Sequence, residues 1–296
     1  MSAKPAIEPA IEPAPDPSAN PPRAITRMIG DIEVTAFCDG ILPSNVKCAL
    51  GIELEDVEKM TGLSRDDILW MHVNEFVLKI GGKYAIIDTG AAERMYPSLG
   101  LLMGNLKRGG VDPAKIEHIF ITHLHPDHMH GLIDENGKAN FPNAEVLVHE
   151  KEANFWLDRD LSGNPKLDGN ITNAERNTRP YRASGQFRTV KDGEGIAGVS
   201  ALCCPGHTPG HTSWLVNSGK ETAIMWGDIV HLEKVQVARP DVTVTYDLDG
   251  PTGAKSRERI LDMCAADKLV TLGAHLAFPG FSRVVRRGPA YAIETD

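Results

Sequence analysis

Residues 122–128 read Thr-His-Leu-His-Pro-Asp-His, and this stretch is the most informative part of the chain. It brings three imidazoles and one carboxylate into six residues: His123, His125, Asp127 and His128. The apolar run directly before it, Ile-Phe-Ile at 119–121, predicts a buried strand. A strand that ends in such a cluster delivers nitrogen and oxygen ligands to one point, which is how divalent-metal sites are built. The stretch therefore predicts a metal site at the end of a strand.

Three further metal-ligand side chains follow predicted strands downstream. They are His207 after strand 199–204, Asp228 after strand 222–226, and His275 after strand 269–274. Each is a weak signal by itself, since a single histidine at a strand end is more often structural. Together with the first cluster they supply seven nitrogen and oxygen ligands, the number that a two-metal hydrolytic site needs.

The rest of the folded chain alternates strand-like and helix-like segments. The pattern predicts strands at 31–37, 74–80, 84–88 and 145–149, and helices at 97–108, 151–158 and 256–268. Ser64-Arg65-Asp66-Asp67 resembles a capping box that opens a short helix at 68–70. Mixed sheets covered by helices, an α/β (α+β) class, fit this order better than a barrel does. No dinucleotide or phosphate-binding glycine motif is present.

Composition limits the function classes. The chain has 296 residues, a net charge of −9 and 24% charged residues, which predicts a globular protein that does not bind nucleic acid. Five cysteines without Cys-x-x-Cys spacing favour reduced thiols and a cytoplasmic location. No run of 18 apolar residues predicts a membrane span.

The predicted domain organisation is simple. Residues 1–22 are rich in proline and are predicted to form a disordered tail, and residues 23–296 are predicted to form a single domain. Within that domain, residues 159–187 are polar and rich in turn-forming residues. They are predicted to form a surface insertion or lid.

With these motifs in place, the sequence resembles the metallo-β-lactamase superfamily over about residues 28–290, and within it the methyl parathion hydrolase group. The superfamily signature is His-x-His-x-Asp-His followed by a later His, Asp and His. The phrases shared with the group stand at 29–36, 87–92, 206–212 and 275–280. The resemblance implies a four-layer αββα sandwich.

The resemblance also implies how the ligands divide. One metal ion would be held by His123, His125 and His207, and the second by Asp127, His128 and His275. Asp228 would bridge the two ions, and Asp88 would orient ligands from behind. Two divalent ions are expected per chain, with zinc as the default for a histidine-rich site and manganese, iron or cobalt as alternatives.

Four residues are predicted to contact substrate. Trp156 and Phe278 are predicted as pocket walls, and His130 and His231 as polar contacts beside the metals. His130 stands where the family usually has glycine, and Glu93-Arg94-Met95-Tyr96 stands where the organophosphate-hydrolysing relatives carry a phenylalanine. Because of these departures, the sequence favours lactone or aryl-ester hydrolysis at least as much as phosphotriester hydrolysis.

The predicted function is therefore hydrolysis of a small-molecule ester, lactone or phosphotriester by water shared between two metal ions, with Asp127 and Asp228 as the catalytic carboxylates. A quorum-lactone type of lactonase is the alternative within this class. A non-catalytic metal-binding module on the same fold is the alternative from another class. A β-lactamase is disfavoured, because Asp228 stands where those enzymes carry Cys or Ser. Relatives of this kind suggest a homodimer.

Overall fold

Two large sheets form the centre of the molecule. The computed structural model describes residues 24–92, 95–158 and 167–295. The first sheet has seven strands, in the spatial order β1 (Ala24–Ile29), β2 (Ile32–Ser44), β4 (Leu69–Ile80), β5 (Lys83–Ile87), β6 (Ile116–Phe120), β7 (Glu145–His149) and β8 (Phe187–Val190).

The second sheet also has seven strands. Their spatial order is β16 (Ala290–Glu294), β15 (Phe281–Arg287), β14 (Val270–Leu272), β12 (Glu221–Met225), β11 (Thr212–Ser218), β10 (Val199–Cys203) and β9 (Gly195–Ile196). A separate two-stranded ribbon pairs β3 (Ala49–Leu50) with β13 (Thr243–Val244).

Seven α-helices lie among the described residues. They are α1 (Leu54–Thr61), α2 (Leu102–Arg108), α3 (Pro126–Met129), α4 (Glu150–Ala153), α5 (Asp168–Ser184), α6 (Glu233–Gln236) and α7 (Gly250–Asp267). None of these described helices is long and apolar enough to cross a membrane.

The alternation of side chains along the strands divides the core into layers. In β4, Phe76 and Leu78 lie in the cluster between the two sheets, whereas Val77 lies in the cluster under the helices. The outer cluster of the first sheet includes side chains of α2 and α5, and that of the second sheet includes side chains of α7. The order helix, sheet, sheet, helix confirms the predicted four-layer αββα sandwich.

The prediction that residues 159–187 form a turn-rich surface segment is wrong for residues 168–184. They form α5, the 17-residue helix that precedes β8. Ala174 and Tyr181 of this helix are buried in the outer core, and the Tyr181 hydroxyl donates to the Leu132 carbonyl at 2.9 Å. The many polar residues hide this helix in the sequence, because only one narrow side of it is buried. Residues 159–166, and residues 1–22 of the predicted tail, lie outside the described part of the chain.

The helix predicted at 68–70 is wrong. Ser64 and Asp67 form a tight turn, in which the Ser64 amide donates to the Asp67 carboxylate at 2.7 Å. Leu69 and Trp70 already belong to β4 and pair with Ser44 and Pro43 of β2. Pairing with a long neighbouring strand therefore overrides the local helix signal.

Candidate metal centre

The His-x-His-x-Asp-His stretch lies where the chain leaves the end of β6. His123 and His125 occupy the extended connection, and the short helix α3 carries Asp127 and His128. Pro126 occupies the first turn of α3, where the missing N–H of proline costs no hydrogen bond. The turn closes with the His128 amide donating to the His125 carbonyl at 3.1 Å. All four side chains are thereby directed to one end of the sandwich.

The structure brings the predicted ligands together in two groups. His123, His125, His207 and Asp228 form one group, and Asp127, His128 and His275 form the other. Within each group, one ligand atom per residue lies within 4.8 Å of the others. The family resemblance implied the same two sets of residues, with Asp228 as a bridge between them rather than a member of the first set.

Asp228 lies between the two groups. Its Oδ2 is 3.6 Å from His123 Nε2 and 3.1 Å from His207 Nε2. Its Oδ1 is 3.0 Å from His128 Nε2 and 3.2 Å from His275 Nε2. One carboxylate thus presents one oxygen to each group, which is the arrangement that a bridging ligand requires.

The donor set fits a pair of divalent cations. His123 Nε2, His128 Nε2 and Asp228 Oδ1 are buried, and no hydrogen bond among the described residues satisfies them, although the His128 and Asp228 atoms lie 3.0 Å apart. Buried polar atoms are normally satisfied, so three such atoms within the two groups indicate bound ligands. Imidazole nitrogens with two carboxylates are donors suited to zinc and its neighbours in the first transition series.

The pKa values also favour cation binding. Burial holds the pKa of His123 well below its ordinary value and lowers the pKa of His125 to about 3. For His128, burial opposes a charge, but Asp228, Asp127 and Asp88 outweigh it and raise its pKa well above the ordinary value. The carboxylates therefore create a strongly negative site, which divalent cations would neutralise.

Asp88 contacts His128 on the side of the ring away from Asp228. Asp88 Oδ2 is 2.9 Å from His128 Nδ1, and its two oxygens accept from the amide and hydroxyl of Thr122 at 2.8 Å each. Asp88 has a φ of 59°, a left-handed conformation that is strained for a residue with a side chain. Such hydrogen bonds fix the orientation and tautomer of a ligating imidazole.

Asp247 holds His207 in the same way, although the sequence analysis did not identify it. Asp247 Oδ1 lies 3.1 Å from His207 Nδ1, and Asp247 Oδ2 lies 3.6 Å from the buried guanidinium of Arg257. The backbone joins the same two segments, because the Leu248 amide donates to the His207 carbonyl at 3.1 Å. Asp247 lies in a loop before α7 without periodicity, so no local pattern marks it.

His275 is held by β4. Its Nδ1 donates to the His72 carbonyl at 2.8 Å, and the neighbouring Asn74 amide group donates to the carbonyls of Gly273 and Leu276. The Asn74 backbone N–H also donates to the Ala274 carbonyl at 2.9 Å. One strand of the first sheet thus fixes a ligand carried by the second sheet.

Glu152 is a second residue that the sequence analysis missed. Its buried carboxylate accepts from the Leu124 amide, the Trp156 indole, the Thr208 hydroxyl and the Gly210 amide, at 2.6–3.0 Å. It therefore joins the two loops that carry His125 and His207. Its position in a helix that follows a strand was visible in the sequence, but most of its partners come from distant segments.

A cavity of about 670 Å³ opens over the two groups. Its floor contains His125, Asp127, His207, Asp228 and His275. Its walls are partly apolar and include Leu42, Pro43, Met71, Met95, Tyr96, Leu167, Tyr246 and Leu248, beside the polar Asn170, Thr245 and Asp247. A small, partly apolar molecule can therefore reach the ligand groups.

The predicted substrate contacts divide into two kinds. His231 lines the cavity, its Nε2 is 3.0 Å from Asp228 Oδ2, and its ring stacks on His275 with centroids 5.3 Å apart. Trp156, Phe278 and His130 do not line the cavity that the described residues form. Trp156 is buried and contacts the edge of the His125 ring.

Phe278 and His130 have structural surroundings. Phe278 is partly buried and packs against the core between the sheets. His130 is buried beneath the centre, with Nδ1 3.2 Å from the Ala91 carbonyl. Among the pocket-rim residues 93–96, Met95 and Tyr96 line the cavity, and residues 93 and 94 lie outside the described part.

His211 has a structural role. Its Nε2 accepts from the Asp228 amide at 2.9 Å, and its Nδ1 is 3.2 Å from the Cys204 carbonyl. It therefore fixes the backbone of the bridging carboxylate rather than joining the ligands.

Comparison with known proteins identifies the family of this chain. The family model described as the metallo-beta-lactamase superfamily matches residues 68–280. The crystal structure of the hydrolase AbOPH, in the beta lactamase superfamily, superposes with a TM-score of 0.88 and 31% identity, over 93% of this chain and 97% of that chain. The dizinc quorum-quenching lactonase AidC superposes with a TM-score of 0.85 at 22% identity, over 92% and 97% of the two chains, which shows the shared fold.

Curated relatives match shorter segments. The N-acyl homoserine lactonase AttM of Azorhizobium caulinodans is 26% identical over 134 residues, which are 42% of this chain and 44% of that protein. The chain spans about half the length of the curated relatives it matches.

Proposed function

The chain belongs to the metallo-beta-lactamase superfamily. From this premise we propose that it is a dinuclear metal-dependent hydrolase whose preferred substrates are small lactones. One observation carries the proposal. The two oxygens of Asp228 face two complete ligand groups at the floor of an open, partly apolar cavity.

In this proposal His123, His125 and His207 would hold one ion, Asp127, His128 and His275 would hold the other, and Asp228 would serve both. Zinc is the ion of choice for five imidazoles and two carboxylates. Bound ions would supply Lewis acidity toward the substrate oxygen and water that is activated at neutral pH.

The chain's own residues orient this chemistry. Asp127 lines the cavity with a partly exposed side chain, so it can accept the proton released when water attacks. His231 contacts Asp228 Oδ2 and borders the cavity, where it orients the bridging carboxylate beside the substrate. Asp88 and Asp247 fix the imidazoles of His128 and His207.

The cavity walls favour lactones with an aliphatic substituent. Leu42, Met71, Met95, Leu167 and Leu248 offer flexible aliphatic contacts. Trp156 is buried with its indole N–H on Glu152, so it is not placed to stack on an aryl leaving group. The lactonases among the curated relatives and structures support the same substrate class.

The test is a hydrolysis panel on protein loaded with zinc. Acyl-homoserine lactones, unsubstituted γ-lactones, p-nitrophenyl esters and a dimethyl aryl phosphotriester are compared by kcat/KM. We expect lactones to lead and to gain with acyl chain length. Two tightly bound ions without hydrolysis of any substrate would instead identify a non-catalytic metal-binding module.

A matched pair of variants tests whether the apolar wall of the cavity contacts the substrate. Met71→Ala enlarges the apolar wall and is expected to raise KM for long-chain lactones more than for short ones. Met60→Ala, away from the cavity, is expected to leave KM unchanged for long-chain and short-chain lactones.

The homodimer and the cytoplasmic location stay predictions from the sequence.

A further inference from the structure

A second cluster of metal-ligand side chains lies outside the centre described above. It consists of His149 at the end of β7, Asp192 just after β8, and Cys203 at the end of β10. One ligand atom from each residue lies within 4.8 Å of the other two. The cluster therefore connects the end of β7 in the first sheet with the end of β10 in the second.

The backbone fixes the cluster in place. Asp192 Oδ1 accepts from the Cys203 amide at 2.5 Å. The same loop pairs with β10, because the Gly193 amide donates to the Ala201 carbonyl and the Ala201 amide donates to the Glu194 carbonyl, at 2.8 and 2.9 Å. The carboxylate is thus held beside the cysteine before any ligand arrives.

His149 supplies an independent indication of a ligand. The residue is only 2% exposed, and its Nε2 is buried without a hydrogen-bond partner among the described residues. Burial also lowers the pKa of His149, which keeps the imidazole neutral and able to bind a cation. A buried, unsatisfied imidazole beside a thiol and a carboxylate calls for a cation.

We propose that His149, Asp192 and Cys203 form a third, solvent-accessible site for a thiophilic divalent cation, with Zn²⁺ as the fitting ion. Sulfur, nitrogen and oxygen donors together suit zinc and exclude the oxygen-preferring Mg²⁺ and Ca²⁺. The exposed Asp192 leaves the site open, so water completes a four-coordinate ion.

Binding requires two local changes. Burial raises the pKa of the Cys203 thiol to about 11, so the cation must displace the thiol proton into solvent. His149 Nδ1 now accepts from the Lys151 amide at 3.2 Å, and binding through either ring nitrogen ends that hydrogen bond. Ligand atoms around a tetrahedral zinc ion lie roughly 3.3–3.8 Å apart. Side-chain rotations that move the ligand atoms by about 1 Å therefore bring them to these distances.

Cobalt spectroscopy tests the proposal on the full chain. The protein is stripped with a chelator and titrated with Co²⁺, and the thiolate-to-cobalt charge-transfer band in the near ultraviolet is recorded. No cysteine belongs to the main centre formed by the described residues, so the band reports this third site. We expect the band in the wild type and its loss in Cys203→Ser.

Matched variants make the result specific. Cys204→Ser is expected to keep the band, because the Cys204 thiol donates to the Leu202 carbonyl and takes no part in the cluster. His149→Gln and Asp192→Asn are expected to weaken cobalt binding at this site at least tenfold. Asp228→Ala is expected to keep the band, which separates this site from the proposed catalytic centre.

Several outcomes would overturn the proposal. A wild-type protein without the band at millimolar Co²⁺ has no such site. A band that persists in Cys203→Ser comes from another thiol. A band with unchanged affinity in both His149→Gln and Asp192→Asn reports an adventitious ion on a single thiolate.

Discussion

Substitution of Asp247 by alanine is the sharpest test of how the chain holds its metals. Asp247 accepts from His207 Nδ1 at 3.1 Å and faces the buried guanidinium of Arg257 at 3.6 Å. Loss of such a partner typically weakens metal affinity by about 10–100-fold, which is roughly 1.4–2.7 kcal/mol. We therefore expect zinc affinity at the site of His207 to fall by that factor.

The same substitution also removes one partner of a buried ion pair. Breaking such a pair costs about 3–5 kcal/mol. The Arg257 guanidinium keeps hydrogen bonds to the carbonyls of Ile229, Pro240 and Val242, so we expect the lower end of this range. For a domain of this size, about 3 kcal/mol corresponds to a decrease in Tm of roughly 6–10 °C.

Two measurements and two control variants complete this test. Zinc affinity is measured by competition with a chromophoric chelator, and Tm is measured on chelator-stripped protein. Asp247→Asn keeps an oxygen acceptor for His207 but not the charge, so it should recover most of the affinity and little of the stability. Asp241→Ala breaks only an exposed pair with Arg239 and should change stability by less than about 1 kcal/mol. Wild-type zinc affinity in Asp247→Ala would refute the reasoning.

Three further predictions rest on other buried groups. Glu152→Ala leaves four donors without their shared acceptor and should lower the free energy of unfolding by at least about 3 kcal/mol in urea titrations; a loss under about 1 kcal/mol would contradict its linking role. Burial raises the pKa of Glu75 well above its usual value, so the folded chain keeps a proton that the unfolded chain loses above about pH 4.3, and stability falls as pH rises toward the folded pKa. Glu75→Gln should remove this loss, up to about 1.4 kcal/mol per pH unit, and parallel stability curves for both proteins from pH 5 to 8 would refute it. Gly227→Ala adds a Cβ 2.5 Å from His211 Nε2 and should reduce the rate of hydrolysis at least tenfold. Gly219→Ala, with a similar φ of 61° and open space around it, should lower stability but not the rate. Equal rates in the two variants would exclude the steric argument.

The fold and the ligand groups were readable from the sequence because their signals are local. His123, His125, Asp127 and His128 follow one another directly, and the strand before them fixes where they point. His207, Asp228 and His275 each follow a strand of the second sheet at the same end of the sandwich. A strand end is a position that periodicity can locate, so these residues could be singled out from the sequence, whereas their division between two ions was implied by the family resemblance.

The supporting residues were not readable, because their roles depend on contacts between distant segments. Asp247 and His207 are 40 residues apart, and Glu152 joins loops from both sheets. The predictions of Trp156 and Phe278 as pocket walls depended on such distant contacts too. Phe278 follows His275 closely in sequence, but its loop turns the ring toward the core between the sheets and away from the cavity.

The central claim is a two-ion hydrolase centre, and a zinc titration followed by lactone hydrolysis tests it most directly. Chelator-stripped Cys203→Ser protein is used, so that the proposed thiolate site takes no zinc. The account predicts that the rate rises until two equivalents of zinc are bound and then stays constant. Saturation at one equivalent, or two bound equivalents without hydrolysis, would contradict it.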